Sequence, residues 1–485
     1  MAKTKNITVS LSSPGMSVFH RAGVGGLAAS LYALACDLEL DWEDGVTIPL
    51  GPGTATVHQD HIDLDFGEDT KATLTALSEY SFQIKDGLVY LPGAAKGSPE
   101  EVRLGLHRAY TATFLQHPLA KKYLPGATRV IKDPNDEDKT AVCFEDFRGV
   151  KGYKHQKDLA TDVLAAVKEG SVQLSGIVLP GAAGPWIAQR QKNQSYTPER
   201  ALAAFFVMVG TPVWYNGVGT KSFKGGAMLV PAPTDLIKFG RGRHRLTPDT
   251  YRGCINGGFG SCALATHLRI SSDWREAFGP ALVVEFGPVA WDSHQTWPIA
   301  VTEVTIVSDD KFVALADVAD LLPRDTDLFK FASRNVASGK VWWNSLISFR
   351  LETKKGPVFL ADAIAMGDDF GYKMSTTLFY LKGTMTPDQQ TTIDALQRTW
   401  RFATSQLNEA GGWNKVDNKR AEIGRAIRQS HDFSALLGYI AGNFVARYGG
   451  YITPKELESI SSLTFSSLQT CFFLALTIRS PKKDA

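Results

Sequence analysis

The chain has 485 residues, 44% of them hydrophobic and 21% charged, and a formal net charge of +2. That balance excludes a disordered or membrane-embedded protein, and the length exceeds what one compact core organises, so two or three domains are expected. The longest apolar runs, around 201–209 and 471–478, reach only about half of a bilayer span, and the basic start Met1-Ala-Lys-Thr-Lys-Asn6 leads into a turn and a polar strand rather than the apolar region of a signal peptide. A cytoplasmic protein without membrane contact is expected.

Net charge is unevenly spread. Residues 1–100 carry −7, 101–270 carry +10, 271–385 carry −4 and 386–485 carry +3. A surplus of ten positive charges in one segment fits a polyanion-binding surface if the cations cluster, and a set of solvated faces if they scatter. Five cysteines, at 36, 143, 254, 262 and 471, include no CxxC pair, so reduced thiols are expected. Cys254, Cys262 and His267 lack a fourth ligand and finger-like spacing, and no metal or other cofactor is expected there.

In chain order, a β-like run over 7–11 passes through a Pro14-Gly15 turn into a helix opening with His20, Arg21 and the glycines 23, 25 and 26. A helix N-terminus with an adjacent Arg favours an anion, but the same composition describes a helix packed closely through small residues, which local chemistry alone favours. His58-Gln-Asp60-His61-Ile-Asp63-Leu-Asp65 is rich in metal ligands. Read as one strand, it places His58 and His61 on opposite faces. Asp86-Gly87 supplies a type I′ turn for a hairpin over 81–91, and Ser98-Pro99-Glu100-Glu101 opens a helix to about Gln116. A second hairpin spans 129–145 around a polar tip at 133–138.

Helices are expected from His155 to Glu169, stopped by Gly170, and from the Thr197-Pro198-Glu199 cap to about Gly210. Strand-like runs follow at 281–286, 303–308, 341–351 and 376–381. Beyond Gly383 the pattern turns helical. Thr386-Pro387-Asp388-Gln389 forms a capping box, Gly411-Gly412 closes the first segment, and helical patterns continue over 415–429, 432–448 and from a further box at Thr453. The fold class is α+β: a large mixed α/β N-terminal region over 1–384, followed over 385–485 by an antiparallel four-helix bundle.

The densest basic cluster is Lys238-Phe-Gly-Arg241-Gly-Arg243-His244-Arg245, read as a loop whose glycines keep the backbone mobile. Four phosphate contacts there would give a slope of about −3 to −4 in log affinity against log salt. Lys192-Asn193-Gln194 has the donors and acceptors to read base edges. In the bundle, Arg398, Arg401, Lys415, Lys419, Arg425 and Arg428 recur at helical spacing, and Trp413 is a candidate stacking platform. Gly217-Val-Gly219-Thr-Lys221-Ser222 lacks the spacing of a phosphate-binding loop, and Trp342-Trp343-Asn344 reads as core or subunit contact.

Pro14-Gly15-Met16, His20-Arg21-Ala22-Gly23 and Gly25-Gly26-Leu27 together resemble the N-terminal signature of the large subunit of type I CRISPR Cascade complexes, the Cas-eight family in its MYXAN branch. The resemblance implies a non-catalytic subunit that contacts the guide RNA 5′ handle, recognises the protospacer-adjacent motif in double-stranded target DNA and stabilises the R-loop. Partners implied are guide RNA, target DNA, the Cascade backbone and small subunits, and either a helicase-nuclease or transposition proteins. His20 and Arg21 would serve the N-terminal assembly or RNA end, the loops at 189–196 and 238–245 the target duplex, and the bundle stripe the single strand. The bundle would resemble the small subunit, with Met385 at the position of an internal start. The competing reading is a metal-dependent hydrolase using His58, His61, Asp63 and Asp65.

Overall fold

The computed structural model describes residues 6–98, 100–114, 124–133, 136–147, 152–174, 195–215, 226–244, 277–290, 296–304, 331, 335, 350–353, 356–359 and 385–477. These fall into two compact units, one within 1–307 and one whose helices lie within 385–477.

The first unit opens on β1 (Asn6–Ser10), whose Ile7 and Val9 turn inward while Asn6 and Thr8 face out. It leads into α1 (Val18–Asp37). Next come β2 (Val46–Leu50), β3 (Gly53–Val57) and β4 (His61–Asp65), which with β1 form an antiparallel sheet of order β1-β4-β3-β2. Helix α2 (Thr70–Ser81) is capped by Asp69, which accepts the N–H groups of Lys71 and Ala72. The hairpin β5 (Gln83–Lys85) and β6 (Leu88–Tyr90) turns on Asp86 and Gly87 at φ 56° and 78°, as a type I′ turn requires.

Helix α3 (Pro92–Ala95) and α4 (Glu100–Thr113) follow, then the hairpin β7 (Leu124–Asp133) and β8 (Asp136–Asp146). Helix α5 (Lys154–Glu169) stops at Gly170 in the left-handed region, φ 81°. β9 (Val172–Gln173) pairs with β10 (Ser195–Tyr196) ahead of α6 (Pro198–Gly210). β11 (Val213–Tyr215), β12 (Gly226–Pro231), β13 (Ala281–Ala290) and β14 (Thr296–Val304) form a second antiparallel sheet, with α7 (Leu236–His244) between β12 and β13 in sequence.

Helix α1 is the spine of this unit. Fourteen of its residues are buried, and it packs against α6, α7 and α3. Its glycines are contact points: a Cβ at Gly23 would lie 1.8 Å from Ala203 O, and one at Gly26 would lie 2.2 Å from Phe206 O. Gly210 of α6 answers from the other side, where a Cβ would meet Ala22 O at 1.8 Å. The two backbones approach as closely as side-chain-free positions allow. The close-packed reading of the glycines is therefore the one the structure bears out.

In the second region β15 (Arg350–Thr353) pairs with β16 (Gly356–Phe359), and the helical part begins at α8 (Pro387–Gln429). Thr386 and Gln389 form the expected capping box. Gly412, at φ 72°, breaks α8 where the sequence predicts an end. Beyond α9 (Phe433–Gly438) a π-helical stretch covers 439–445, and α10 (Pro454–Ser461) starts from the Thr453–Glu456 box. The expected single last helix is divided: Ser462-Leu463-Thr464 separates α10 from α11 (Phe465–Thr477), which packs along α8. Thr464 Oγ1 accepts the Ser467 N–H, giving α11 its own cap. Trp400, Phe444 and Phe472 are buried between these helices. Among the described residues, no helix is long and apolar enough to cross a membrane.

Candidate nucleic-acid interface

The opening motif does not leave a bare helix end. Ser17 Oγ accepts the His20 N–H at 3.4 Å, and His20 Nδ1 accepts the Ser17 N–H at 3.1 Å, closing a reciprocal box over the start of α1. His20 is 1% exposed. Its ring lies 5.7 Å from that of Tyr196, over which Arg200 is set at 5.2 Å. Burial, then the Arg200 charge, push the His20 imidazole down to about 4, so it stands neutral at physiological pH. His20 is thus a cap and core residue rather than a surface cation. Arg21, one position on, is exposed.

The basic run at 238–245 is corrected more sharply. Residues 236–244 are helix α7, not a loop, and Gly240 serves packing rather than mobility. A Cβ at Gly240 would lie 3.0 Å from the Trp42 ring and 3.2 Å from Ala28 O. Asp235 caps the helix through the Lys238 N–H, and Trp42 Nε1 donates to Ile237 O at 2.8 Å. Arg243 is fully buried, with Nε donating to Val209 O at 2.9 Å, and so presents no charge to a phosphate. Arg241 is half-buried and donates to Trp42 O at 3.1 Å; Lys238 is also half-buried. Arg245 and the trio Lys192, Asn193 and Gln194 lie outside the described residues.

On α8 the cations separate into engaged and exposed. Arg398 Nη2 reaches both carboxylate oxygens of Glu456, at 2.9 and 3.0 Å, and Tyr451 O at 3.1 Å, with its guanidinium 4.5 Å from the Tyr451 ring centre. Hydrogen bonding from Arg398 lowers the Glu456 carboxyl below its ordinary range. Lys419 pairs with Glu422, whereas Arg401, Lys415 and Arg425 are exposed and Arg428 is half-buried.

Beside Arg401, Phe402 is 53% exposed; Trp413 and Tyr451 are 48% and 62% exposed. Asp394, Gln397, Arg398, Arg401, Phe402 and Ser405 line an open depression of about 580 Å³. Arg401, Phe402 and Tyr451 thus share one face, with Arg398 holding Tyr451 in place through its pairing with Glu456; an exposed cation beside aromatic rings is the combination that tracks a phosphate backbone and stacks bases. Phe402 and Tyr451 escaped sequence reasoning, although Phe402 follows Arg401 directly at a position where an apolar stripe has no place. Arg420, also missed, is buried: it donates to Leu476 O and Asp417 and lies over Trp400.

The His58–Asp65 run is not one strand. It is the β3–β4 turn and the strand after it, so His58 and His61 stack on the same face, their rings 4.4 Å apart. Asp65 is not with them; its Oδ1 accepts the Gly67 N–H.

Two comparisons bear on this architecture. A family model, the DevT N-terminal domain, matches residues 8–205, a span that includes α1 and most of α6. The CRISPR-associated protein Cas8a1/Csx13 of Myxococcus xanthus (strain DK1622) is 34% identical over 329 residues, 65% of this chain and 56% of that protein. The chain spans little more than half the length of that relative. Over these stretches the chain is similar to a CRISPR-associated protein of the Cas8 family.

Proposed function

We propose that the chain is the non-catalytic large subunit of a type I CRISPR RNA-guided DNA-binding complex. It contacts the guide RNA 5′ handle, recognises the protospacer-adjacent motif and stabilises the R-loop. The observation that carries this reading is the 34% identity to Cas8a1/Csx13 over 329 residues. The exposed face of Arg401, Phe402 and Tyr451 supports it by offering charge and ring surfaces to a displaced single strand. Arg21, Lys238 and Arg241 are the accessible cations of the first unit's described site residues, and they serve guide RNA and duplex. Residues 1–384 act as the large-subunit domain and 385–485 as the bundle resembling the small subunit.

The reading is tested by co-expressing the tagged chain with Cascade backbone subunits and a guide RNA. The expected result is recovery of a ribonucleoprotein containing the RNA and the backbone subunits. Recovery of the chain alone, with all other components soluble, refutes it.

A further inference from the structure

We propose that His58, His61 and Asp63 form a zinc site at the β3–β4 turn. The His58 N–H donates to His61 O at 2.9 Å and closes the turn, which brings the two imidazoles to one face with an interplanar angle of 18°. Asp63, two residues along β4, joins the same face by strand alternation. Its Oδ2 lies 3.5 Å from His61 Nε2 and 3.9 Å from His58 Nε2, and one donor from each of the three residues falls within 4.8 Å of the others. Zinc bound tetrahedrally at about 2.0–2.1 Å separates its ligands by about 3.4 Å, so the donors draw together and the stacked imidazoles turn out of parallel until both Nε2 lone pairs converge on the ion.

The surroundings hold the three ligands in ligating form. His61 Nδ1 is 2.6 Å from Asp60 Oδ1, which assigns the ring proton to Nδ1 and leaves the Nε2 lone pair facing Asp63. Asp44 Oδ1 stands 3.6 Å from His58 Nδ1 and favours the same tautomer. The second oxygen of Asp63, Oδ1, accepts from Thr8 Oγ1 at 2.5 Å, which orients the carboxylate. Two imidazoles and a carboxylate select a borderline cation such as zinc; magnesium or calcium would leave the imidazoles unused. The histidine side chains are 31% and 30% exposed and that of Asp63 46%, so water can complete the tetrahedron.

The ion would brace more than a turn. Gln59, between the two histidines, accepts the Leu236 N–H through its carbonyl at 2.8 Å, and its Nε2 donates to Asp235 Oδ2 at 3.3 Å. Zinc therefore fixes the segment that holds the start of α7. No hydrolytic step is required of it.

The test uses the untagged full chain, stripped with chelator and titrated with zinc chloride by calorimetry, with Co²⁺ absorption as the geometric probe. One zinc per chain is expected, with tetrahedral Co²⁺ bands and no thiolate charge-transfer band. His61→Ala abolishes binding, Asp63→Asn weakens it while preserving shape, and Asp60→Asn weakens it about 10- to 100-fold. Absence of stoichiometric binding, a thiolate band, or zinc affinity unchanged in both His61→Ala and Asp63→Asn overturns the proposal.

Discussion

Acidification should loosen α1 through one histidine. His20 is buried and neutral, held down to about 4 by burial and by Arg200, whereas in the unfolded chain it titrates near its ordinary value of 6.5. A base whose folded value is depressed leaves stability intact above 6.5 and removes it as pH falls from 6.5 to 4, with no further loss below. The loss attributable to His20 is about 2 kcal/mol at pH 5 and about 3 kcal/mol at the plateau. Protonating Nδ1 also removes the acceptor that the Ser17 N–H uses in the capping box.

His20→Gln keeps a box-forming side chain and deletes the titration. Hydrogen exchange of α1 peptides, corrected for intrinsic rates, reads the opening free energy in the full chain. Between pH 8 and pH 5 the ratio of wild-type to variant protection should fall about 30-fold, the equivalent of about 2 kcal/mol. A ratio that stays constant refutes the buried neutral imidazole and the account of the motif as a cap.

Other substitutions separate structural from contact roles. Gly26→Ala should cost about 3 kcal/mol or more, since its Cβ meets backbone at Phe206, whereas Gly105→Ala, with open space around it, should stabilise α4 by about 0.5–1 kcal/mol; urea unfolding measures both. Arg243→Ala should destabilise the protein by about 2–4 kcal/mol. Arg241→Ala should cost about 1 kcal/mol through the lost hydrogen bond to Trp42 O, and reduce the salt slope of DNA binding by about 1. Phe402→Ala should weaken single-strand binding by about 1–3 kcal/mol at unchanged melting temperature, and equal affinity in a filter-binding assay would remove that face from the interface.

Local rules made most element boundaries legible. The Asp86-Gly87 turn, the Gly170 stop and the boxes at Thr386 and Thr453 stand where their residues demand. What local rules could not supply was the partner of each face. Gly23 and Gly26 of α1 and Gly240 of α7 are alike in sequence with mobile or phosphate-cradling glycines, and only Ala203 O, Phe206 O and the Trp42 ring reveal them as packing sites. Arg243 reads as one more surface cation until Val209 O, 34 residues away, is found beside it. Counting along one strand sets His58 and His61 on opposite faces, which fails because the chain turns between them.

The proposed role makes this chain the part of a guide-RNA complex that holds the duplex target. The direct measurement is the affinity of the assembled complex for target DNA bearing its adjacent motif, with the chain present and omitted. Motif-dependent duplex binding is expected, lost on omission and restored by adding the purified chain. Equal binding with and without it would rule that role out.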